Sequence, residues 1–145
     1  MSLLSALSVS ASGMAAQRTR AELLVENIAN SETTRTAEGG PYRRKDAIFS
    51  SELAPSAFAS ELDAQLNSSL TGVTVSDISI DTRDPERKYM PGHPDADPQG
   101  YVAMPRVNPA EDMVDLMSAT RSYQANVAAI SAVKDMIQRS IDLLR

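Results

Sequence analysis

The residues with the clearest chemical potential lie in one short segment, PGHPDADPQG, at positions 91–100. His93, Asp95 and Asp97 alternate there, and two carboxylates with an imidazole can bind a divalent metal. The spacing supplies no obvious fourth ligand, and His93 is the only histidine of the chain. The flanking Pro and Gly residues favour a turn in which the Asp side chains bond to their own backbone. Two interpretations therefore remain open: a small metal-binding or hydrolytic site, and a structural turn.

A basic cluster, Arg43, Arg44 and Lys45, is the second candidate for a binding role. The chain has a net charge of −5 and a pI of about 4.8, which makes nucleic acid a poor partner because phosphate binding needs a basic surface. These three residues could contact phosphate or a membrane surface, or form a solvated face. We favour a contact with an acidic protein surface, which in an assembly would be an inter-subunit charge contact. The sequence has no cysteine, no phosphate-binding glycine loop and no hydrolase nucleophile motif. We therefore predict no catalytic residue, no bound metal and no cofactor.

Both ends of the chain show the heptad spacing of helices that pack against other helices. The C-terminal helix also has a start signal, in which Asn108 caps the helix and Pro109 occupies its first turn. The apolar positions of both helices form the predicted assembly interface: Leu3, Leu7, Met14, Ala21, Leu24, Ile28, Met113, Leu116, Tyr123, Val127, Ile130, Ile137, Ile141 and Leu144.

Three amides, Asn27, Asn30 and Asn126, lie at or beside these apolar positions and are included in the predicted interface. They are interpretable as residues of helix ends and surfaces. Alternatively, they are buried amides that fix the register of packed helices, since an unpaired buried amide is costly.

The middle of the chain has a different composition, with seven of the eight prolines between Pro41 and Pro105. GVTVSDISID, residues 72–81, alternates apolar and polar positions, and a break at Ser76-Asp77 indicates a bulge. Short strands are predicted at Lys88–Met90 and Tyr101–Met104, whereas residues 50–70 are ambiguous between a short helix and a loop.

The predicted fold is mainly α, with long N- and C-terminal helices packed as an antiparallel coiled-coil-like pair around a small β-rich insert. The predicted division is an N-terminal assembly helix and exit turn at 1–36, a middle β-rich segment at 37–107, and a C-terminal assembly helix at 108–145. A single helix pair would leave much apolar surface uncovered, which favours self-association. We expect no membrane insertion and no cleaved signal peptide, because a membrane-length apolar run and a basic N-terminal region are both missing from the sequence.

Six segments of the sequence match a known family: SVSASGMAAQRTR, VENIANSETT, GGPYRRK, GVTVSDISID, YMPGHPDADPQGYVAMPRVN and EDMVDLMSATRSYQANVAAISAVKDM. Through these segments the sequence resembles the FlgC family of bacterial flagellar basal-body rod proteins, over residues 3 to about 142 and most weakly across 50–70. The NIAN element, residues 27–30, is shared by axial proteins of the flagellum, whereas PGHPDAD and RSYQANV together indicate this family.

The resemblance implies a non-enzymatic structural subunit of the proximal rod, which is the start of the drive shaft that crosses the periplasm. It implies export from the cytoplasm by the flagellar type III system, and polymerisation through the terminal helices. The implied partners are copies of the chain itself, other flagellar rod proteins, and the export-gate and basal-body junction proteins. Two alternatives stay open: the small metal-binding or hydrolytic protein that uses His93, Asp95 and Asp97, and a helical adaptor that does not polymerise.

Overall fold

A computed structural model describes residues 3–53 and 71–143 of the chain. Helix α1, Leu3–Ala29, and helix α2, Pro109–Asp142, lie near the two ends of the chain, and the described residues between them form four strands. This arrangement confirms the predicted pair of long helices with a small β-rich insert. Leu144, the side chain of Leu3 and residues 54–70 of the ambiguous stretch 50–70 lie outside the described residues. Residues 50–53 of that stretch are extended strand, so the expectation of a helix or loop is wrong there.

Helix α2 begins as the sequence predicts. The side chain of Asn108 accepts a hydrogen bond from the backbone N–H of Ala110 at 3.2 Å, and Pro109 occupies the first turn, where a missing N–H costs nothing. Glu111 and Asp112 place negative charge near the positive end of the helix dipole. Helix α1 has no acidic residue in its first turn and no basic residue in its last turn, so its stability depends more on packing.

Strands β1, Lys45–Leu53, and β2, Thr71–Ile80, pair antiparallel. Ile48 lies opposite Asp77 and Phe49 opposite Val75, so Ser76 is the extra residue of a bulge. The bulge predicted from the break in alternation at Ser76-Asp77 is therefore confirmed. Strand β1 was not predicted.

The β1–β2 pair lies against α1 and is attached to it by a specific bond. The hydroxyl oxygen of Ser12 accepts a hydrogen bond from the backbone N–H of Val73 at 3.1 Å. The strand pair therefore lies along α1, from Ser12 in its first half to Asn27 near its end.

Strands β3, Glu86–Tyr89, and β4, Tyr101–Met104, form a second antiparallel pair. Their positions agree with the two predicted short strands, although β3 starts and ends slightly earlier than predicted. The rings of Tyr89 and Tyr101 meet edge to face with centroids 5.3 Å apart. Gly100 has a φ of +83°, and a Cβ there would lie 2.8 Å from the Tyr89 ring, so the turn requires glycine at this position.

The small core of the molecule lies mainly between the helices, which are in extensive contact. Its buried helix residues are Ala16, Leu23, Leu24, Ala119 and Val133. Small side chains bring the two backbones close together. Within the described ranges, no helix combines the length and apolar composition that a membrane span requires.

Candidate functional site

A cluster of polar side chains lies where α1, the start of β1 and the start of α2 meet. We call Asn27, Tyr42, Arg44, Lys45 and Asp112 the junction cluster. It joins the helix pair to the β-rich segment, because its members come from all three elements and from the loop between α1 and β1.

Asn27 is the centre of the junction cluster and is completely buried. Its Nδ2 donates to the carbonyl oxygen of Lys45 at 2.9 Å, and its Oδ1 accepts from the backbone N–H of Lys45 at 3.0 Å. The same Oδ1 accepts from the hydroxyl of Tyr42 at 2.8 Å. Asn27 is therefore a buried amide, which is one of the two interpretations of the sequence. It holds the backbone that returns from the exit turn, and not the facing helix.

Tyr42 and Lys45 surround this amide. Burial, with the nearby carboxylate of Glu26, raises the pKa of Tyr42 to about 12, so the hydroxyl remains a hydrogen-bond donor to Asn27. Lys45 Nζ pairs with Glu26 and lies 5.8 Å from the centroid of the Tyr42 ring. The lysine thus contributes both its backbone and its charge to the junction.

Asp112 and Arg44 form the charged half of the cluster. Arg44 Nη2 lies 3.0 Å from Asp112 Oδ1, and Asp112 is completely buried. This contact is not an aligned hydrogen bond, and neither carboxylate oxygen of Asp112 accepts one within the described residues. Burial raises the pKa of Asp112, the charge of Arg44 opposes that shift, and Asp46 is the first of several nearby carboxylates that add to it.

The predicted basic cluster is divided by these contacts. Arg44 pairs with Asp112 and Asp46, and Lys45 pairs with Glu26, so both are engaged within the chain. Arg43 is exposed and donates to the backbone carbonyl oxygen of Asp81 at 3.0 Å.

Asn30 stabilises the turn by which the chain leaves α1. Its Nδ2 donates to the carbonyl oxygen of Glu26 at 2.9 Å, and its Oδ1 accepts from the hydroxyl of Thr33 at 3.1 Å. The backbone N–H of Tyr42 then donates to the carbonyl oxygen of Thr33 at 3.0 Å. Asn30 therefore acts at a helix end, which is the other interpretation that the sequence left open.

The segment with His93, Asp95 and Asp97 uses its polar atoms to hold its own turn. His93 Nδ1 accepts from the backbone N–H of Asp95 at 3.1 Å, and Asp97 Oδ1 accepts from the backbone N–H groups of Gln99 and Tyr101 at 2.9 and 2.8 Å. No group of three or more His, Cys, Asp or Glu residues placed to hold a metal is found in the described part of the chain.

Asp95 connects this turn to the exit turn. Its Oδ2 accepts from the hydroxyl of Thr34 at 2.8 Å, across 61 positions of sequence. The hydrogen bonds of the 91–100 segment are therefore those of a structural turn more than those of a reactive centre.

The helix positions predicted for assembly fall into two groups. Those that are buried or half-buried are Leu7, Met14, Ala21, Leu24, Asn27, Ile28, Asn30, Leu116, Asn126, Ile130 and Ile137. Those that are exposed are Met113, Tyr123, Val127 and Ile141. The buried residues of α2 are Asp112, Ala119 and Val133, which are spaced by multiples of seven residues. The positions of α2 that pack within the chain are therefore offset by one residue from the predicted positions Met113, Val127 and Ile141, which are exposed.

A second apolar surface lies on α2, and sequence reasoning missed it. We call Val114, Met117, Met136 and Leu143 the outer face of α2; their exposed fractions are 60%, 54%, 48% and 87%. At 100° per residue these four project within about 100° of one another. The exposed Ala125, Ala128 and Ala132 lie on the same side. The sequence signal for the outer face is this second set of apolar residues in α2, which lie outside the predicted heptad positions.

The chain is similar to a family model near its C-terminal end and to known proteins over nearly its whole length. The family model for the C-terminal region of flagellar basal body rod FlgEFG proteins matches residues 99–143. The chain is 41% identical to the flagellar basal-body rod protein FlgC of Bacillus subtilis over 99% of both chains. It is 38% identical to the FlgC of Borreliella burgdorferi, over 100% of this chain and 99% of that one. It is 37% identical to the FlgC of Escherichia coli O157:H7, over 99% of this chain and 98% of that one.

Proposed function

Because the chain belongs to the FlgC family of flagellar basal-body rod proteins, we propose that it polymerises into the proximal part of the rod through its terminal helices. The chain is a structural subunit of the basal-body rod and not an enzyme, because it is similar over its whole length to proteins that are named as rod proteins. We propose in addition that the chain polymerises, that it lies in the proximal part of the rod, and that its helices contact adjoining subunits.

The observation that carries the proposal is the outer face of α2. Soluble monomers rarely expose apolar patches beyond a few hundred Å². This face combines Val114, Met117, Met136 and Leu143, each about half exposed or more, on a helix whose opposite side already packs on α1. In a rod, helices of adjoining subunits would cover it. Burying each such side chain is worth about 1.5–3 kcal/mol.

We further propose that α1 and α2 form an antiparallel coiled-coil-like pair. Two contacts support this direction: Gly13 lies beside Asn126, and seven residues later Arg20 pairs with Asp115 at 3.3 Å, eleven residues earlier in α2. The assembly units would then be residues 1–36 and 108–145, with the 37–107 segment facing outward.

The proposed assembly interface keeps the predicted helix positions that the single chain leaves exposed or half-buried, and it adds the outer face of α2. Leu24 and Asn27 are already buried within the chain and hold the helix pair and its junction instead. The predicted inter-subunit charge contact is narrowed to Arg43, because Arg44 and Lys45 are engaged in pairs within the chain. Proposed neighbours are further copies of the chain, other rod proteins, and the export-gate and basal-body junction proteins. The proposed route is type III export without a cleaved signal peptide, to the part of the rod in the periplasm.

A non-polymerising adaptor is the remaining alternative, and it differs in stoichiometry. Deleting 137–145 removes Leu143 from the outer face together with the end of the helix pair. We expect this deletion to abolish incorporation into rods and swimming, whereas an adaptor that binds one partner helix would retain one-to-one binding.

A point variant makes the same test without shortening the helix. Met117→Glu with Met136→Glu should abolish incorporation of the chain into isolated basal bodies while leaving the helical circular dichroism of the free chain unchanged. The matched control is Gln124→Glu with Gln138→Glu, which carries the same added charge at exposed polar positions of α2. Normal rod occupancy in the Met117/Met136 variant would contradict polymerisation through the outer face.

A further inference from the structure

A cleft of about 90 Å³ lies between the exit turn, the end of β2 and the segment that follows β4. Arg43, Arg83 and Arg106 line it together with Asp81, and we call this the arginine cleft. Arg44 also lines it, but its charge is already paired with Asp46 and Asp112. Three separate segments of the chain thus bring their guanidinium groups to one place.

The charges of the arginine cleft do not cancel. Arg83 binds Asp81 through two side-chain nitrogens, with Nε 2.9 Å from Oδ1 and Nη2 2.6 Å from Oδ2. These hydrogen bonds, with a smaller contribution from the charges of Arg83 and Arg106, hold the pKa of Asp81 well below its ordinary value, so the carboxylate is ionised and hydrogen-bonded to Arg83. The cleft's own carboxylate therefore neutralises one arginine only.

Arg43 and Arg106 retain their charge. Arg43 Nη1 donates to the backbone carbonyl oxygen of Asp81 at 3.0 Å, and Arg106 Nη1 donates to that of Asp84 at 3.4 Å. A carbonyl orients a guanidinium but does not neutralise it. Neither arginine forms an ion pair with a carboxylate among residues 3–53 and 71–143. The cleft thus keeps about two positive charges in a chain whose net charge is −5.

The entrance to the cleft is open on the side of the exit turn. Gly39 and Gly40 have φ values of +89° and +81°, and nothing lies within 4 Å of the position that a Cβ would take at either residue. Both glycines line the cleft. A partner's side chain can therefore approach between the glycine backbone and the guanidinium groups.

We propose that the arginine cleft receives two neighbouring carboxylates from an acidic segment of an adjoining rod subunit. Carboxylates match the planar fork of arginine and bind it through two parallel hydrogen bonds. Two uncompensated guanidiniums match two such groups, and the acidic character of the chain itself makes acidic segments available on neighbouring copies. This inference rests on the proposed rod function, since it assigns the contact to a neighbour in the assembly.

The first test uses the purified full chain, labelled with ¹⁵N, and an acidic hexapeptide of six Glu residues as probe. We expect the Nε–Hε signals of Arg43 and Arg106 and the amide signals of Gly39 and Gly40 to shift on titration. Arg43→Gln with Arg106→Gln should weaken binding about tenfold. Raising the salt concentration should weaken it further, because exposed charges are screened.

Controls decide whether the cleft is specific. Arg87→Gln with Arg121→Gln makes the same change in net charge at exposed arginines outside the cleft, and it should leave the peptide affinity within about twofold of the wild type. An equal loss in this control, or no shift at all with the acidic peptide, would overturn the proposal. So would inorganic phosphate that shifts the same signals as strongly as the peptide, because the cleft would then be a general anion site.

The second test separates this inference from the proposed function. Isolated basal bodies are probed for the wild-type chain and for the Arg43/Arg106 variant. Reduced occupancy of the variant alone supports the cleft. Equal occupancy of the two removes the cleft contact and leaves the rod function intact, whereas absence of the wild-type chain from rods would remove the proposed function whatever the peptide result.

Discussion

The junction cluster and the outer face of α2 differ in how far a single chain satisfies its own chemical groups. In the cluster, the buried amide of Asn27 makes three hydrogen bonds, all within the chain. On the outer face, Met117 and Leu143 are 54% and 87% exposed. The polar contacts that set the exit of the chain from α1 are complete within the chain, whereas the outer face of α2 stays exposed and is the surface that the proposed assembly would cover.

This difference separates two classes of variant. Changes in the seam between the helices or in the junction cluster should lower the free energy of unfolding of the free chain. Changes on the outer face should leave that free energy nearly unchanged and act on assembly. Each substitution that follows is at a residue of the helix seam or of the junction cluster, and its control differs in burial, hydrogen bonding or charge.

The largest effect on stability is expected in the seam between the helices. Leu24 is 3% exposed, and Leu24→Ala should lower the free energy of unfolding by about 3 kcal/mol through lost burial and a cavity. Met117→Ala on the outer face should change it by less than about 0.5 kcal/mol. Urea denaturation of the free chain, followed by circular dichroism, measures both. Equal losses would mean that the outer face is already packed in the free chain.

The second effect concerns the junction cluster. Asn27→Ala removes the partners of the Tyr42 hydroxyl and of both backbone groups of Lys45, which should cost about 2 kcal/mol because buried polar groups lose their hydrogen bonds. Asn30→Ala removes bonds at a partly exposed helix end and should cost about 1 kcal/mol. The same denaturation experiment compares the two amides. A larger loss at Asn30 would show that the exit turn, not the buried amide, controls the junction.

The third effect is a change in pH dependence. The folded-state pKa of Asp112 is raised, mainly by burial, so folding takes up a proton in the pH range above the ordinary aspartate pKa. The contribution of Asp112 to stability is therefore most favourable below its unfolded pKa, and it falls as the pH rises through the folded pKa. Asp112→Asn should be least favourable, relative to the wild type, at acidic pH and should gain steadily as the pH rises.

Asp115→Asn is the control for this measurement, because Asp115 is half-exposed and pairs with Arg20 in the helix seam. The free energy of unfolding of wild type and variant is measured from about pH 3 to pH 7. The difference between the two is compared, because the contributions of the other carboxylates cancel in it. A difference that runs in the opposite direction would mean that the Arg44 contact outweighs burial at Asp112.

Local signals in the sequence predicted the elements that depend on local chemistry. The cap at Asn108, the helix start at Pro109 and the bulge at Ser76 each follow from neighbouring residues, and each is present in the fold. Strand β1 was missed because its sequence, KDAIFSSEL, alternates poorly and its pairing with β2 is non-local. The roles of Asn27 and of the Arg44–Asp112 contact were also beyond a sequence pattern, since the residues that they join lie 15 or more positions apart.

The helix faces were predicted only in part, for a physical reason. A heptad identifies apolar side chains, but the position that lies deepest in this seam takes Asp112, Ala119 and Val133, and two of these three are small or charged. Close backbone contact selects small residues there, so hydropathy points instead to the larger neighbour at Met113. The larger side chains at these neighbouring positions, such as Met113, stay exposed in the single chain.

The smallest effect tests that close contact directly. A Cβ on Gly13 would lie 3.0 Å from Asn126 Nδ2, so Gly13→Ala gains helix propensity and loses packing, and the net change in the wild type should be within about 0.5 kcal/mol. With Asn126→Ala the obstruction is gone, and the same substitution should then stabilise the chain by about 1 kcal/mol. The coupling between the two sites, measured by a double-mutant cycle, is the quantity of interest. If Gly13→Ala stabilises both backgrounds equally, the helices are not in close contact at this position, and the apolar surface left over for a neighbour is larger than the outer face alone.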